Sequence, residues 1–216
     1  MHMSRLALKI ELRGNTLDLV SRSFQSCNTI EYEKDKGYFG VTANMTETLI
    51  ACRDCSFDPA PEAQYALSFL IRPIMEKDSF AVIATNKKFK VDYGWEVNIN
   101  RLQITFNIHG NGLSETVGKS IRSLHQLPPD RFTHVVISRH GDSAINDKIY
   151  FNGVETEVEV LSNEDLGQTQ NGTPCVGAYC KSQYYYQGFL NDFRIYSGAL
   201  TPAEIKNIFS EYVGFF

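Results

Sequence analysis

Residues 189–209, FLNDFRIYSGALTPAEIKNIF, decide the fold prediction because they join a strand pattern to a capped helix. Thr201 is a good N-cap residue, Pro202 suits the first helical position, and Glu204 stands where a capping box needs it. Apolar residues then recur at helical spacing; they are Ile205, Ile208, Phe209 and Tyr212. The pattern predicts a short C-terminal helix, and we expect this helix to close an open end of a β-sandwich.

Strand patterns fill most of the chain before this helix. Short apolar or alternating stretches bounded by turn residues occur at residues 66–72, 79–85, 95–100, 104–109, 134–139, 148–151, 176–179 and 188–196. The short link at residues 101–103 predicts a hairpin, and Asn152-Gly153 favours a type I′ turn because both central residues need positive φ. No linker or repeat divides the sequence, so residues 1–216 are interpreted as one domain. We therefore predict an all-β fold, a two-sheet antiparallel β-sandwich with one short C-terminal helix.

The composition argues against several classes of partner. The chain has 216 residues and a formal net charge of −4, with no basic patch suited to a phosphate backbone, so a nucleic-acid partner is not expected. No apolar run approaches the roughly 20 residues of a membrane-spanning helix. The cysteines leave three alternatives open: unpaired buried thiols, disulfides with one thiol left over, or a zinc site. They are Cys27, Cys52, Cys55, Cys175 and Cys180.

Alternation along the central strands sorts their side chains onto two faces. Trp95 alternates with apolar residues and is interpreted as a core residue. The opposite side is polar, and if the strands lie in one sheet its outer face carries Arg72, Glu96, Asn98, Asn107, His109 and His134. Fixed donors and acceptors suit a hydroxyl-rich ligand. We therefore predict a glycan-binding face, and the alternative is a face that is merely solvated, as in any antiparallel sheet.

A second candidate site is a run of three tyrosines, Tyr184, Tyr185 and Tyr186, between two predicted strands. A strand buries at most alternate residues, so at least one of these rings should be exposed. Exposed aromatic side chains on loops suit carbohydrate or protein recognition. The alternative is that two of the three rings pack over an edge of the sandwich.

Four motifs, taken in order, carry a resemblance to a known family. They are LSFLIRP at 67–73, FTHVVISRHGD at 132–142, DKIYFNGVE at 147–155, and the segment at 188–209. Together they resemble the laminin-G-like domains of the concanavalin A-like lectin and glucanase superfamily, over nearly the whole chain. The resemblance implies a jelly-roll topology and makes the final helix a family feature. Phe132 and Leu70 depart from it, since tryptophan is usual at both positions.

The same resemblance implies a candidate calcium site at Asn15, Asp18 and Asp192. Asn191 replaces the first residue of the usual Asp pair, and the expected Ser-Gly after Asp18 is missing. Calcium takes roughly six to eight oxygen ligands, so these residues would begin such a site without completing it. The alternative is that Asp18 and Asp192 cap turns. No cofactor is required by the predicted function.

Glucanases share the fold that the resemblance implies, so a hydrolase is a third alternative. Glu155, Glu157 and Glu159 are spaced like their catalytic carboxylates. These residues directly follow the Asn152-Gly153 turn, however, and we interpret them as a charged edge that resists edge-to-edge pairing. We expect no catalytic residues.

The predicted function is non-catalytic recognition, with a glycan as the preferred ligand, bound by the polar face or by the tyrosine loop. The alternative is a structural or decorating domain that contacts protein neighbours on a large assembly, such as a phage or virus particle. An extracellular or particle-surface location is favoured.

Overall fold

The computed structural model describes the backbone of residues 5–12, 16–18, 24–26, 50–52, 63–74, 76, 78–87, 94–110, 118–167, 174–178 and 184–213, and side chains only from residue 63 onward. The strands are β1 (Arg5–Leu12), β2 (Thr16–Asp18), β3 (Phe24–Ser26), β4 (Ile50–Cys52), β5 (Gln64–Pro73), β6 (Phe80–Thr85), β7 (Gly94–Asn100), β8 (Gln103–His109), β9 (Lys119–Ser123), β10 (Thr133–His140), β11 (Lys148–Phe151), β12 (Val154–Thr156), β13 (Val158–Asn163), β14 (Cys175–Val176) and β15 (Gly188–Ser197). One α-helix, α1 (Pro202–Ser210), is present among the described residues.

These strands form two antiparallel sheets. Sheet A has the order β12-β11-β10-β5-β15-β1-β2, and sheet B has the order β13-β9-β8-β7-β6-β14-β4-β3. The paired strands are antiparallel, and several neighbours, such as β5 and β15 or β1 and β15, are far apart in the chain, as in a jelly roll. The prediction of a two-sheet antiparallel β-sandwich with a short C-terminal helix is confirmed.

The main core lies between the two sheets. Phe69 of β5 and Phe193 of β15 stack with ring centroids 6.0 Å apart, and Trp95 of β7 lies in the same fully buried cluster. Each large apolar side chain contributes roughly 1.5–3 kcal/mol when it is buried in this way. The interpretation of Trp95 as a core residue is confirmed.

The two predicted hairpins are both present. Arg101 (φ 52°) and Leu102 (φ 60°) form the turn between β7 and β8, and Asn152 (φ 52°) and Gly153 (φ 77°) form the turn between β11 and β12. Positive φ at both central residues matches the right-handed twist of the paired strands. A Cβ atom on Gly153 would lie 3.3 Å from the Phe209 ring, so close packing and backbone conformation both favour glycine there.

Helix α1 begins with the predicted capping box. The Thr201 hydroxyl accepts a hydrogen bond from the Glu204 N–H, and the Glu204 carboxylate accepts one from the Thr201 N–H at 2.8 Å. The helix packs on the outer face of sheet A, where a second apolar cluster contains Ala66, Leu70, Val136, Tyr150, Tyr196, Leu200, Ile205, Ile208 and Tyr212. The expectation that it closes an open end of the sandwich was therefore wrong. No helix in the described part of the chain has the length and apolarity needed to cross a bilayer.

Cys175 of β14 is disulfide-bonded. It is the one cysteine whose side chain lies in the described part of the chain, so its partner lies outside that part. For Cys175, the disulfide alternative is correct, and the unpaired-thiol and zinc alternatives are wrong.

Candidate functional site

Two rows of paired residues cross the outer face of sheet B. Their strands are neighbours in the order β7-β8-β9-β13, and the intervening residues of β7 point into the core. The first row is Glu96, Asn107, Ser120 and Ser162. The second row is Asn98, Thr105, Arg122 and Glu159. Cross-strand pairing thus gathers polar side chains from four strands onto one surface.

A hydrogen-bond network holds the first row in place. Oε1 of Glu96 accepts from Nδ2 of Asn107 at 2.8 Å and from Nδ2 of Asn98 at 3.1 Å. Oδ1 of Asn107 in turn accepts from the Ser120 hydroxyl at 2.6 Å. Glu96, Asn98 and Asn107 are 4–7% exposed, so little of each side chain contacts solvent. Hydrogen bonds to an ionised carboxylate are stronger than neutral ones, and they fix these groups before any ligand arrives.

His109 extends this network towards Lys87. Its Nε2 lies 3.9 Å from Oε2 of Glu96, and its Nδ1 lies 3.3 Å from Nζ of Lys87. The predictions that Glu96, Asn98, Asn107 and His109 share one outer face are confirmed. Their role in ligand binding stays a prediction.

Glu96, Asn98 and Asn107 form the floor of a groove of about 610 Å³, and His109 lies outside its lining. Strand β6 contributes Phe80 on one side, and residues 161–164 contribute Leu161, Ser162 and Glu164 on the other. Phe80 is 37% exposed and pairs in register with Asn100, which also lines the groove. The groove therefore combines a polar floor with one accessible aromatic ring, as small-molecule sites commonly do.

The tyrosine loop reaches the same groove through Phe80. Tyr184 is 46% exposed, and its ring meets the Phe80 ring edge-on with centroids 5.1 Å apart. Tyr185 is half-buried against Cys175, and Tyr186 is fully buried. The expectation of at least one exposed ring is confirmed. Tyr186 belongs to the main core instead of packing over an edge of the sandwich, so the alternative does not hold for it. The two sites predicted separately are therefore neighbours.

Phe80 is the residue that the sequence analysis missed. It begins β6, directly opposite Asn100 and on the same face as the predicted polar residues of β7. The position of Phe80 opposite Asn100 would have placed its ring beside the polar residues. That position follows only from the pairing of β6 with β7, which the sequence alone did not establish.

Arg72 does not lie on this face. It belongs to β5 in sheet A, where its guanidinium carbon lies 4.8 Å from the Phe189 ring centroid and 5.8 Å from that of Phe132. Cation–π contacts of this kind hold the side chain against its own sheet. The expectation that Arg72 shares the polar face was wrong because β5 pairs with β10 and β15 instead of β7.

His134 also lies in sheet A and is fully buried beneath α1. Its Nε2 is 2.8 Å from the Ser68 hydroxyl, and its ring is flanked by Phe209 and Tyr212, with centroids 6.1 and 5.0 Å away. Burial lowers the pKa of His134 to about 3, and the nearby Arg194 charge acts in the same direction. The expectation that His134 belongs to the polar face was wrong, since α1 covers that side of β10.

The Asp192 carboxylate forms an ion pair with Arg194. Its Oδ1 accepts from Nε of Arg194 at 2.9 Å, and its Oδ2 accepts from Nη2 of Arg194 at 2.5 Å and from the Tyr212 hydroxyl at 2.7 Å. Both carboxylate oxygens of Asp192 are therefore already bound by protein donors. Asn15 and the side chain of Asp18 lie outside the described residues, so the calcium site stays a prediction.

The three glutamates do not converge on a cleft. Glu155 lies on β12 at the edge of sheet A and pairs with Lys148 at 2.8 Å, whereas Glu159 lies on β13 at the edge of sheet B and pairs with Arg122 at 2.6 Å. Glu157 lies between these strands and is exposed. The interpretation as charged, exposed edges is confirmed, because β12 and β13 are edge strands of different sheets and Glu155 and Glu159 are each 47% exposed.

Two antiparallel sheets with a polar groove on one outer face define a jelly-roll β-sandwich of the lectin-like type. The chain belongs to the concanavalin A-like lectin/glucanases superfamily, since a laminin-G-like family model matches residues 49–206. Among curated proteins, it is 24% identical over 154 residues to adhesion G-protein coupled receptor V1 of Danio rerio, a match that covers 69% of this chain and 2% of the receptor.

Solved structures share the fold at low identity. The binding domain of Paraclostridial Mosquitocidal Protein 1 has a TM-score of 0.74 at 16% identity, covering 96% of this chain and 52% of that one. The receptor binding domain of botulinum neurotoxin D has a TM-score of 0.72 at 14% identity, covering 95% and 52%. Domain 4 of AbnA, an extracellular arabinanase of Geobacillus stearothermophilus, was solved with arabinotriose and has a TM-score of 0.65 at 17% identity, covering 96% and 99%. The chain thus spans about half the length of the toxin domains that it matches.

Proposed function

We propose that this chain is a non-catalytic glycan-binding module whose site is the groove on sheet B. The observation that carries the proposal is the fixed network of Glu96, Asn98 and Asn107 on the groove floor, next to the exposed ring of Phe80. Sugar hydroxyls donate to carboxylate and amide oxygens, and the apolar face of a sugar ring packs on an aromatic ring. Binding of this kind needs no cofactor.

Preorganisation favours such a role. Because Asn107 is bound to both Glu96 and Ser120, its amide loses little freedom when a ligand arrives. The structural likeness to an arabinanase domain solved with arabinotriose supports a carbohydrate ligand as a proposal, and the identity of the sugar is left to experiment.

The test is a glycan array followed by titration calorimetry with the strongest neutral oligosaccharide, with arabinotriose included as a probe. Phe80→Ala and Asn98→Ala should each weaken binding about tenfold, through loss of the ring surface and of the fixed amide. Val154→Ala is the matched control, because Val154 is an exposed apolar residue on the edge of sheet A. Unchanged affinity in both groove variants, or no glycan bound by the parent chain, would refute the proposal.

A second candidate function is protein binding at the edge of sheet B, as in a decorating domain of a large assembly. Leu124, Val160 and Leu161 are 39–48% exposed and lie on or beside strands β9 and β13. Exposed apolar side chains on an edge strand favour protein contacts. Light scattering and cross-linking of Val160→Lys against Val154→Lys test this candidate, which predicts that only the first substitution abolishes self-association or partner binding.

A further inference from the structure

We infer that the groove binds glycan chains that turn from one sugar to the next, and that Tyr184 is the residue that selects them over flat chains. This inference deepens the proposed function and rests on it. Its basis is the arrangement of two aromatic rings at one side of the groove, which meet nearly at a right angle.

Both aromatic rings present surface for stacking. Phe80 lines the groove and is 37% exposed, and Tyr184 lies beside Phe80, outside the groove lining, and is 46% exposed. The two ring planes are 88° apart, and their centroids are separated by 5.1 Å. In such an edge-on contact the edge of one ring covers one face of the other, so each ring keeps a face that its neighbour does not cover. Each of these faces suits the apolar side of one sugar ring.

The backbone holds Tyr184 in this position. Its carbonyl oxygen accepts a hydrogen bond from the Val82 N–H at 2.8 Å, and the Tyr186 N–H donates to the Gly177 carbonyl at 2.8 Å. Tyr184 has a φ of 59°, in the left-handed region that residues other than glycine rarely adopt. A strained residue of this kind persists only where its surroundings fix it, so the angle between the two rings is set before a ligand arrives.

The angle between the rings determines which chain can contact both. In a flat chain, such as a cello-oligosaccharide, consecutive sugar rings lie in nearly one plane, so a chain that stacks on Phe80 passes Tyr184 edge-on. In a malto-oligosaccharide the mean plane turns from one sugar to the next, so consecutive sugars can face both rings. The second stacking contact then contributes to the affinity for the turning chain alone, by about fivefold.

The experiment compares hexasaccharides by titration calorimetry, after an array that contains linear and branched glycans. Maltohexaose and arabinohexaose are the turning chains, and cellohexaose and mannohexaose are the flat ones; maltohexaose and cellohexaose consist of the same sugar and differ only in linkage. The strongest turning chain should bind about fivefold more tightly than the strongest flat chain. Equal or tighter binding of a flat chain, or binding confined to branched glycans, would overturn the inference and leave the proposed function standing. Binding of no glycan would refute the proposed function, and the inference with it.

Substitutions of Tyr184 test its role directly, with the ratio of the two affinities as the readout. Tyr184→Ala should remove the preference for the turning chain, whereas Tyr184→Phe keeps the ring and should keep the preference. Val154→Ala is the remote control, because Val154 is an exposed apolar residue on the edge of sheet A. A preference that survives in Tyr184→Ala, or that is lost equally in Tyr184→Phe, would contradict the role assigned to the Tyr184 ring.

Discussion

His134 should make the stability of this domain sensitive to mild acid. The ring is fully buried beneath α1, beside Ser68, Phe209 and Tyr212, with the Arg194–Asp192 pair close enough to affect it. Its folded-state pKa of about 3 lies below the unfolded value of 6.5. The unfolded chain therefore takes up the proton first, so that the stabilisation is present above pH 6.5 and is lost progressively as the pH falls towards 3.

The size of the effect follows from the shift. A pH of 5 is 1.5 units below the pKa of 6.5 that His134 has in the unfolded chain, whereas the folded-state ring is still neutral at this pH. At 1.36 kcal/mol per unit, the free energy of unfolding falls by about 2 kcal/mol relative to neutral pH. That is a substantial fraction of the roughly 5–15 kcal/mol that is typical for the free energy of unfolding of a native protein. Protonation of His134 is therefore expected to destabilise the packing of α1 on sheet A before it affects the core between the sheets.

The assay is urea unfolding at pH 7 and at pH 5, monitored by the fluorescence of Trp95. His134→Gln should lose about 2 kcal/mol less than the parent chain between these two pH values. His140→Gln is the control, because His140 lies on the same strand with an exposed side chain. Equal losses in the parent chain and in His134→Gln would refute the reasoning. So would an NMR titration in which the His134 ring protonates near pH 6.5.

Two other substitutions test the packing around the helix. Gly153→Ala should lower the free energy of unfolding by about 1–2 kcal/mol, because a left-handed φ and a 3.3 Å approach to Phe209 both oppose a Cβ atom; thermal unfolding checks this, and an unchanged midpoint would contradict it. Arg194→Met should cost about 3–5 kcal/mol, since it leaves the buried carboxylate of Asp192 without its cation. Chemical denaturation measures that loss, and the Asp192→Asn, Arg194→Met double variant should recover part of it.

The two hairpins and four of the six residues assigned to the polar face could be predicted because the contacts involved are local. Glu96, Asn98 and Asn107 lie on two strands joined by a short hairpin, so alternation and turn chemistry together place them on one surface. Phe80 lies on the next strand along the sheet, across a link that is too long for the turn rules to fix.

The errors at Arg72 and His134 have one physical source. Alternation separates the two sides of a strand, but it does not say which sheet the strand joins. The outward side of β5 and β10 also carries Leu70 and Val136, two apolar residues that a solvated face would not favour. Those residues indicated that something covers that side, and α1 is what covers it.

Because α1 rests on sheet A, a third layer covers the outer surface of that sheet in the described part of the chain. That surface contributes to the stability of the domain, whereas the groove lies on the outer face of the other sheet. Substitutions at outward positions on β7, β8 and β9 can accordingly change the lining of the groove without disturbing the aromatic interior between the sheets.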